Sequence, residues 1–213
     1  MKFEKRDGES SREIRTLKAG GVEIRADGEA KTVRVTGYAA VFDEETDLGR
    51  FREVIRPGAF KNALSRGDDV RFLINHTDLP LARTASGTLK LSEDNRGLKM
   101  EATLDASDPD VMRIIPKMER GDLNQMSFAF TIAPDGKYVW REEGEGDSVV
   151  FIREIERVGA LYDVAIVTYP AYAGTEIALR SLEEQRKAKA PRDADAGLQR
   201  RRMSLALKSR SLG

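Results

Sequence analysis

The sequence predicts an α+β fold, made mostly of antiparallel β-sheet or a small β-barrel with a few surrounding helices. Two observations lead to this prediction. Many short segments alternate apolar or β-branched residues with polar ones, as half-buried strands do, and turns rich in Gly, Asp and Asn separate them. Only two or three segments have the length and the end signals of a helix.

The segments with the pattern of a strand begin at residue 22. The first two are separated by DGEA, whose Asp-Gly pair favours a tight hairpin turn. The last is the most apolar, which predicts a central place in a sheet. In chain order they read VEIRA, KTVRVTGYAAVF, DVRFLINH, LARTAS, TLKLSED, GLKMEATL, NQMSFAFTI, KYVWREE, SVVFIREIERV and ALYDVAIVTYPAYAGT.

Three segments are predicted as helices. The first covers residues 57–65, has a proline in its first turn and ends before Gly67. The second, DPDVMRIIPKMERGD, has Asp108 as its N-cap, and its internal Pro116 predicts a kink or an early end. The third, EIALRSLEEQRKAKA, is rich in helix-forming residues.

Composition divides the chain into three parts. Residues 1–21 are polar and charged without a sustained period, which predicts a flexible leader, and residues 22–180 form the main domain. Residues 181–213 contain nine Lys or Arg and four Asp or Glu, a net charge of +5, so the rest of the chain carries −5. We therefore expect a basic tail, helical or disordered, after an acidic body.

Composition also excludes several kinds of chemistry. The chain has no cysteine and one histidine, which rules out disulfides, thiolate nucleophiles and zinc sites built from sulfur or several imidazoles. It contains no phosphate-binding loop, dinucleotide fingerprint or calcium-binding hand loop. We therefore expect no cofactor and no metal, and chemistry carried by Ser, His, carboxylate, Lys or Tyr side chains.

The sequence gives no indication of a membrane or nucleic-acid partner. No apolar run approaches the roughly 20 residues of a membrane-spanning helix, and the N-terminal residues have no signal-peptide core. The basic tail has no aromatic residue for base stacking, and the body is acidic. We therefore expect a protein that acts in a cytoplasm without binding membrane or nucleic acid.

His76 is the first candidate for a catalytic role. It is the one histidine of the chain and stands where the predicted strand DVRFLINH ends. A serine hydroxyl needs a base within hydrogen-bonding distance to act as a nucleophile, and His76 is the one base of the usual kind. The alternative is a half-buried ring satisfied by backbone groups, which on the pattern alone is the commoner case.

Ser127 is the candidate nucleophile, because it lies inside an apolar strand between Met126 and Phe128. Alternation places its side chain on the face of Ala129, opposite the large apolar side chains. The alternative is a small residue that fills a tight place in a sheet. No GxSxG motif is present, which excludes the nucleophile elbow of the α/β-hydrolases.

An acidic residue usually orients the base, and two predicted strands supply a candidate. Glu101 lies in LKMEATL and Asp163 lies in LYDVAIV. A charge at either position needs a partner if it is buried. The residues alone do not choose between them.

Six segments of the chain together resemble a known family. They are GYAAVFDEE, FREVIRPGAFKNAL, FLINHTDLPLART, GLKMEATL, RGDLNQMSFAF and LYDVAIVTYPAYAGT. They occur in the order and approximate spacing of the prohead proteases of tailed bacteriophages, and the similarity extends over about residues 22–180. The resemblance implies that the main domain is a serine endopeptidase with a fold like that of the herpesvirus assemblin serine proteases.

The resemblance also implies a role for each candidate residue. Ser127, in MSFAF, would attack the scissile carbonyl, and His76, in the Asn-His pair, would take its proton and return it to the leaving amine. An acidic residue in the strand between histidine and serine falls on Glu101, with Asp163 in reserve. Assemblins use a second histidine as the third member, which this chain does not have.

A family setting follows from the same resemblance. A prohead protease of a phage or prophage acts in the host bacterial cytoplasm, inside the immature shell, where it cuts scaffold segments from the major capsid protein and then cuts itself. The leader and tail would be targeting or self-cleavage segments, with the tail docking on acidic scaffold. A homodimer rests on analogy with the assemblins. The alternative function is a non-catalytic capsid-assembly or scaffolding module of the same fold.

Overall fold

Strands make up most of the structure, a computed structural model. Within the residues it describes, thirteen strands and two helices have both ends defined, and none of the helices has the length and apolar character of a membrane span. The chain divides into two units, Met1–Thr175 and Glu176–Gly213, and the features below belong to the first. The described residues are 12–17, 22–27, 31–132, 135–145 and 149–169, with the helical residues 182, 183 and 186.

The first sheet has five strands and carries the candidate site. Its central strand is the most apolar predicted segment, so that prediction is confirmed. From one edge to the other, the strands are β1 (Glu13–Leu17), β10 (Gln125–Thr131), β13 (Ala160–Val167), β6 (Arg71–Ile74) and β7 (Thr77–Arg83).

Two further sheets have four strands each. The second contains, in order, β11 (Lys137–Glu143), β12 (Val150–Arg157), β5 (Arg52–Ile55) and β4 (Thr46–Asp47). The third contains β2 (Glu23–Asp27), β3 (Thr32–Val41), β9 (Gly97–Asp105) and β8 (Leu89–Glu93).

Most neighbouring strands are antiparallel, and the exceptions are the parallel pairs β12–β5 and β13–β6. The prediction of an α+β fold dominated by antiparallel sheet is therefore confirmed for the described part of the chain. Each sheet runs between two edge strands instead of closing on itself. The small-barrel alternative is wrong for these residues.

Both helices of the first unit differ in detail from their predictions. The first, α1 (Lys61–Arg66), ends at a left-handed Gly67 as predicted but begins four residues late. The preceding turn is held instead by the Glu93 carboxylate, which accepts hydrogen bonds from the backbone N–H groups of Gly58 and Phe60. The second, α2 (Pro109–Glu119), has the predicted Asp108 cap and continues beyond Pro116.

The side chains of β10 point alternately to the hydrophobic core and to the candidate site. Met126, Phe128 and Phe130 all lie in the main hydrophobic core and are fully buried. Because successive side chains of a strand point to opposite faces, Ser127 and Ala129 lie on the other face. The predicted orientation of Ser127 relative to these apolar side chains is therefore confirmed.

One strand of the first sheet lies where a flexible leader was expected. The prediction for residues 1–21 is wrong for Glu13–Leu17, which form β1 and pair with β10. The pattern of this segment is obscured because its charged Glu13 and Arg15 are buried, against the usual exposure of such residues. Of the predicted tail, residues 181–213, the structure describes 182, 183 and 186, which are helical, and the other residues lie outside the described part of the chain.

Gly97 allows β9 to approach β3 closely, so a side chain there should disrupt the fold. A Cβ at this position would lie 2.0 Å from the carbonyl oxygen of Ala40, a backbone atom that cannot move without breaking the strand pairing. Gly97→Ala should lower the free energy of unfolding by about 3 kcal/mol or more, as measured by urea denaturation.

Gly49→Ala is the matched control for this prediction. Gly49 has open space around it and is opposed only by its positive φ of 86°. That backbone conformation should cost an alanine about 1–2 kcal/mol. Equal losses for the two variants would contradict the close approach of β9 and β3.

Candidate active site

His76 lies in the two-residue turn that joins β6 to β7. Ile74 pairs with Thr77, and the residues between them, Asn75 and His76, have φ values of 51° and 60°. Positive φ at both central positions defines a type I′ turn, whose twist suits a tight hairpin. Asn and His tolerate this conformation better than most residues, which explains the Asn-His pair at the strand end.

Asn75 fixes this turn to the end of β13. Its backbone N–H donates to the carbonyl oxygen of Ile166 at 2.9 Å. Its side-chain Oδ1 accepts from the Thr168 N–H at 2.9 Å, and its Nδ2 donates to Thr168 Oγ1 at 3.3 Å. The position of the imidazole is therefore tied to the central strand of the sheet.

Ser127 and Asp163 lie on the same face of two neighbouring strands. In the β10–β13 pairing, Ser127 is opposite Ala165 and Ala129 is opposite Asp163. Directly opposite residues share a face, and so do residues two apart on one strand. The serine and the aspartate therefore approach the imidazole from the same side of the sheet.

The imidazole of His76 bridges these two side chains. Its Nε2 lies 2.7 Å from Ser127 Oγ, and its Nδ1 lies 2.5 Å from Asp163 Oδ1. Little of the arrangement meets solvent, since the side chains of His76 and Asp163 are 6% and 1% exposed and Ser127 is fully buried. Both distances are within the hydrogen-bonding range that a serine nucleophile requires from its base, and the base from its orienting acid.

The Asp163 carboxylate selects the tautomer of the ring. A carboxylate can only accept hydrogen bonds, so Nδ1 carries the proton of the neutral ring and donates it to Oδ1. The lone pair of Nε2 then faces the Ser127 hydroxyl. The ring is therefore oriented to take the proton of that hydroxyl.

Arg12 neutralises the same carboxylate from its other side. Its guanidinium forms an ion pair with Asp163 Oδ2 and lies 5.2 Å from the centre of the Tyr162 ring. Burial, the larger cause, and the Arg12 charge together lower the pKa of His76 from 6.5 to about 4. His76 is therefore neutral at pH 7, which is the form that accepts a proton.

Ser127 also contacts β1 directly. Its Oγ donates to the carbonyl oxygen of Arg15 at 2.8 Å, and Thr16 lies opposite Ser127 in the strand pairing. Sequence reasoning missed both Arg12 and Arg15 as site residues. The available signal was the Glu-Ile-Arg tripeptide at 13–15, which recurs at 23–25 in a segment that was predicted to be a strand.

Glu101, the first candidate for the third site residue, lies elsewhere. It is on β9 in the third sheet, its side chain is 41% exposed, and Lys99 Nζ pairs with its Oε1 at 2.8 Å. The structure brings His76 and Ser127 together with Asp163 and not with Glu101. The physical reason is sheet order, because β10, β13 and β6 are neighbours while β9 pairs with β3 and β8.

A titration of His76 tests the electrostatics of this site. Arg12→Gln should raise the pKa of His76, because the Asp163 carboxylate is then free to stabilise the imidazolium. The measurement is the NMR shift of the ring protons against pH, made in Ser127→Ala protein so that the chain stays intact. One histidine means one set of imidazole signals.

The exposed Arg113 on α2 provides the control for this titration. Arg113→Gln removes the same charge from a side chain that pairs with Asp110 instead of Asp163, and it should leave the midpoint unchanged. The parent protein should titrate near the value of about 4. A parent midpoint at or above 6.5, or an equal effect of both substitutions, would contradict the description of the site.

Comparison with known proteins identifies the family. The family model described as caudovirus prohead serine protease matches residues 21–188. The chain is 30% identical over 161 residues to the prohead protease of Enterobacteria phage HK97, a match that covers 74% of this chain and 64% of that relative. No solved structure gives a significant match. The chain therefore belongs to the caudovirus prohead serine protease family, as its sequence segments predicted.

Proposed function

We propose that this chain is a prohead maturation protease, a serine endopeptidase that cuts scaffold segments from the major capsid protein and also cuts itself. Its place of action is the immature shell in the bacterial host. The observation that carries the proposal is the bridging imidazole, with Ser127 Oγ at 2.7 Å and Asp163 Oδ1 at 2.5 Å. Membership of the family supports the same conclusion.

In this proposal the catalytic residues are Ser127, His76 and Asp163. His76 Nε2 takes the hydroxyl proton as Ser127 Oγ adds to the scissile carbonyl carbon, and Asp163 stabilises the imidazolium that forms. The imidazolium then protonates the leaving amine, which departs and leaves an acyl-enzyme ester. Water hydrolyses the ester with His76 again acting as the base. Glu101 has no part in these steps.

Two finer features of the family analogy are part of the proposal and are not needed for the mechanism. One is a core fold like that of the herpesvirus assemblins, and the other is a homodimer. Both rest on fold-level analogy. The three side chains come from a single chain, so the proposed chemistry does not require a second copy.

Paired substitutions test which acid belongs to the catalytic group. Purified chain and the major capsid protein of the same phage are incubated together, and intact-mass spectrometry follows fragments over time. Asp163→Asn should slow cleavage by roughly 10⁴-fold, because the amide favours the wrong tautomer of His76. Glu101→Gln should change the rate by less than about twofold, as expected for a solvated surface residue.

Ser127→Ala distinguishes an enzyme from a scaffolding module. A protease should lose cleavage of the capsid protein and of itself, while its thermal unfolding and its incorporation into proheads stay normal. A scaffolding module would show no cleavage in the wild type either. Fragments that persist in Ser127→Ala, or a large loss in Glu101→Gln without one in Asp163→Asn, would overturn the proposed mechanism.

A further inference from the structure

β1 lies against the edge of β10 in the way that an extended peptide binds to a sheet. Its five residues pair antiparallel with Met126–Phe130, and the carbonyl oxygen of Arg15 accepts a hydrogen bond from the proposed nucleophile. Addition of a strand to a free sheet edge is a general mode of peptide recognition. Without β1, β10 would be the edge strand of the first sheet.

We propose that this edge of β10 is the substrate-binding site, that residues 12–17 occupy it as a substrate would, and that the site selects Glu-x-Arg sequences and cleaves after the arginine. The proposal rests on the proposed protease function and adds the substrate class to it. The first bond cut in the chain itself is Arg15–Thr16.

The selectivity comes from two charged residues of the body, Glu53 on β5 and Arg153 on β12. Glu53 accepts two hydrogen bonds from Arg15, Nε to Oε1 at 2.5 Å and Nη2 to Oε2 at 3.2 Å. Arg153 donates two to Glu13, Nη2 to Oε2 at 2.6 Å and Nη1 to Oε1 at 3.3 Å. Paired contacts of this kind recognise both the charge and the geometry of their partner.

All four side chains are nearly fully buried, so binding of a peptide with a neutral residue at either charged position is energetically unfavourable. Glu13, Arg15, Glu53 and Arg153 are each no more than 3% exposed. Burial acts to raise the pKa of Glu53, but the charges of Arg153 and Arg15 outweigh it and hold the pKa below its ordinary value. A neutral side chain in place of either Glu13 or Arg15 would leave this buried group with one uncompensated charge.

The two body residues also remain paired when the site is empty. Arg153 Nε donates to Glu53 Oε2 at 2.7 Å, so release of the strand leaves one acid and one base in contact. The net charge of the group is zero with or without the strand. This balance allows a peptide to enter and leave, because neither state leaves an uncompensated charge within this group.

The distribution of the motif along the chain fits a self-cutting enzyme. Glu-x-Arg occurs at residues 4–6, 13–15, 23–25 and 184–186. It does not occur from residue 26 to residue 183. An enzyme with this selectivity would therefore cut within β1 and β2 and after residue 186, and it would leave residues 26–186, which contain Ser127, His76 and Asp163, in one piece.

The hydrogen bond from Ser127 Oγ to the carbonyl oxygen of Arg15 makes the site slow to react while β1 occupies it. Ser127 has one hydroxyl proton and two acceptors, His76 Nε2 and the Arg15 carbonyl oxygen. Donation to Arg15 withholds the proton from the base. Reaction requires the proton to move to Nε2 as Oγ bonds to the Arg15 carbonyl carbon. The Arg15–Thr16 bond then breaks, His76 gives the proton to the Thr16 amine, and water releases Arg15 as a carboxylate.

Three matched peptides test the selectivity with one and the same enzyme. The first has the sequence of residues 11–18, Ser-Arg-Glu-Ile-Arg-Thr-Leu-Lys. The second replaces its Glu by Gln, and the third replaces its second Arg, which corresponds to Arg15, by Gln. The first should be cut after the second Arg, and each Gln peptide should be cut about 100-fold more slowly, since the buried group is then left with one uncompensated charge. Similar rates for all three peptides would overturn the proposal.

The enzyme for this test is the full chain carrying Glu13→Gln and Arg15→Gln. The tethered strand competes with any added peptide at a high effective concentration, and these substitutions weaken it. The variant should lose its own cut between residues 15 and 16 and should cut the first peptide faster than the wild type does. A slower peptide cut in this variant would contradict occupation of the substrate site by β1.

A substitution in the enzyme, Glu53→Gln, tests the contact that is proposed to select arginine. In protein whose thermal unfolding shows a folded state, the preference for the Arg peptide over its Gln counterpart should fall by about tenfold or more. An unchanged preference in folded Glu53→Gln protein would overturn the role of Glu53. If this variant does not fold, the peptide series alone decides.

Cleavage of the capsid protein shows whether a negative peptide result contradicts only the proposed selectivity or also the proposed protease function. Ser127-dependent cleavage of the capsid protein at sites without Glu-x-Arg, with the first peptide left intact, would overturn the selectivity and leave the protease standing. Absence of any Ser127-dependent cleavage, of peptide, capsid protein or the chain itself, would overturn both.

Discussion

The structure depends on a carboxylate buried in the central strand of its first sheet. Asp163 lies on β13 with almost no exposure, where an unpaired charge would cost several kcal/mol. Two groups compensate for this cost, the imidazole of His76 at Oδ1 and the guanidinium of Arg12 at Oδ2. Because the imidazole must reach the carboxylate, the turn after β6 is held against the end of β13, and Nε2 is directed at Ser127.

The same sheet edge determines both reactivity and access. β10 presents Ser127 to the imidazole on one face, and its outer edge binds β1, which covers the hydroxyl. Covering the site also keeps water away from the imidazole and favours its neutral form. In the proposed mechanism, the three side chains are arranged for catalysis while β1 occupies the place of a substrate. Under that proposal, removal of β1 would open the site to another peptide.

Periodicity predicted most strands and the positions of His76 and Ser127, but it could not predict which acid joins them. That choice depends on sheet order, because β6 and β13 are parallel neighbours whose contacting residues are far apart in sequence. Glu101 and Asp163 look alike as charges in apolar strands. β1 was missed for a related reason, since Glu13 and Arg15 are buried only because β5 and β12 supply their partners.

The nitrogen chemical shifts of the His76 ring at neutral pH test the central claim most directly. A long-range proton–nitrogen correlation spectrum distinguishes protonated from unprotonated ring nitrogens, and the single histidine makes the assignment unambiguous. We expect a neutral ring with the proton on Nδ1, held by Asp163, and an unprotonated Nε2 facing Ser127. A proton on Nε2 of a neutral ring, or an imidazolium at pH 7, would contradict it.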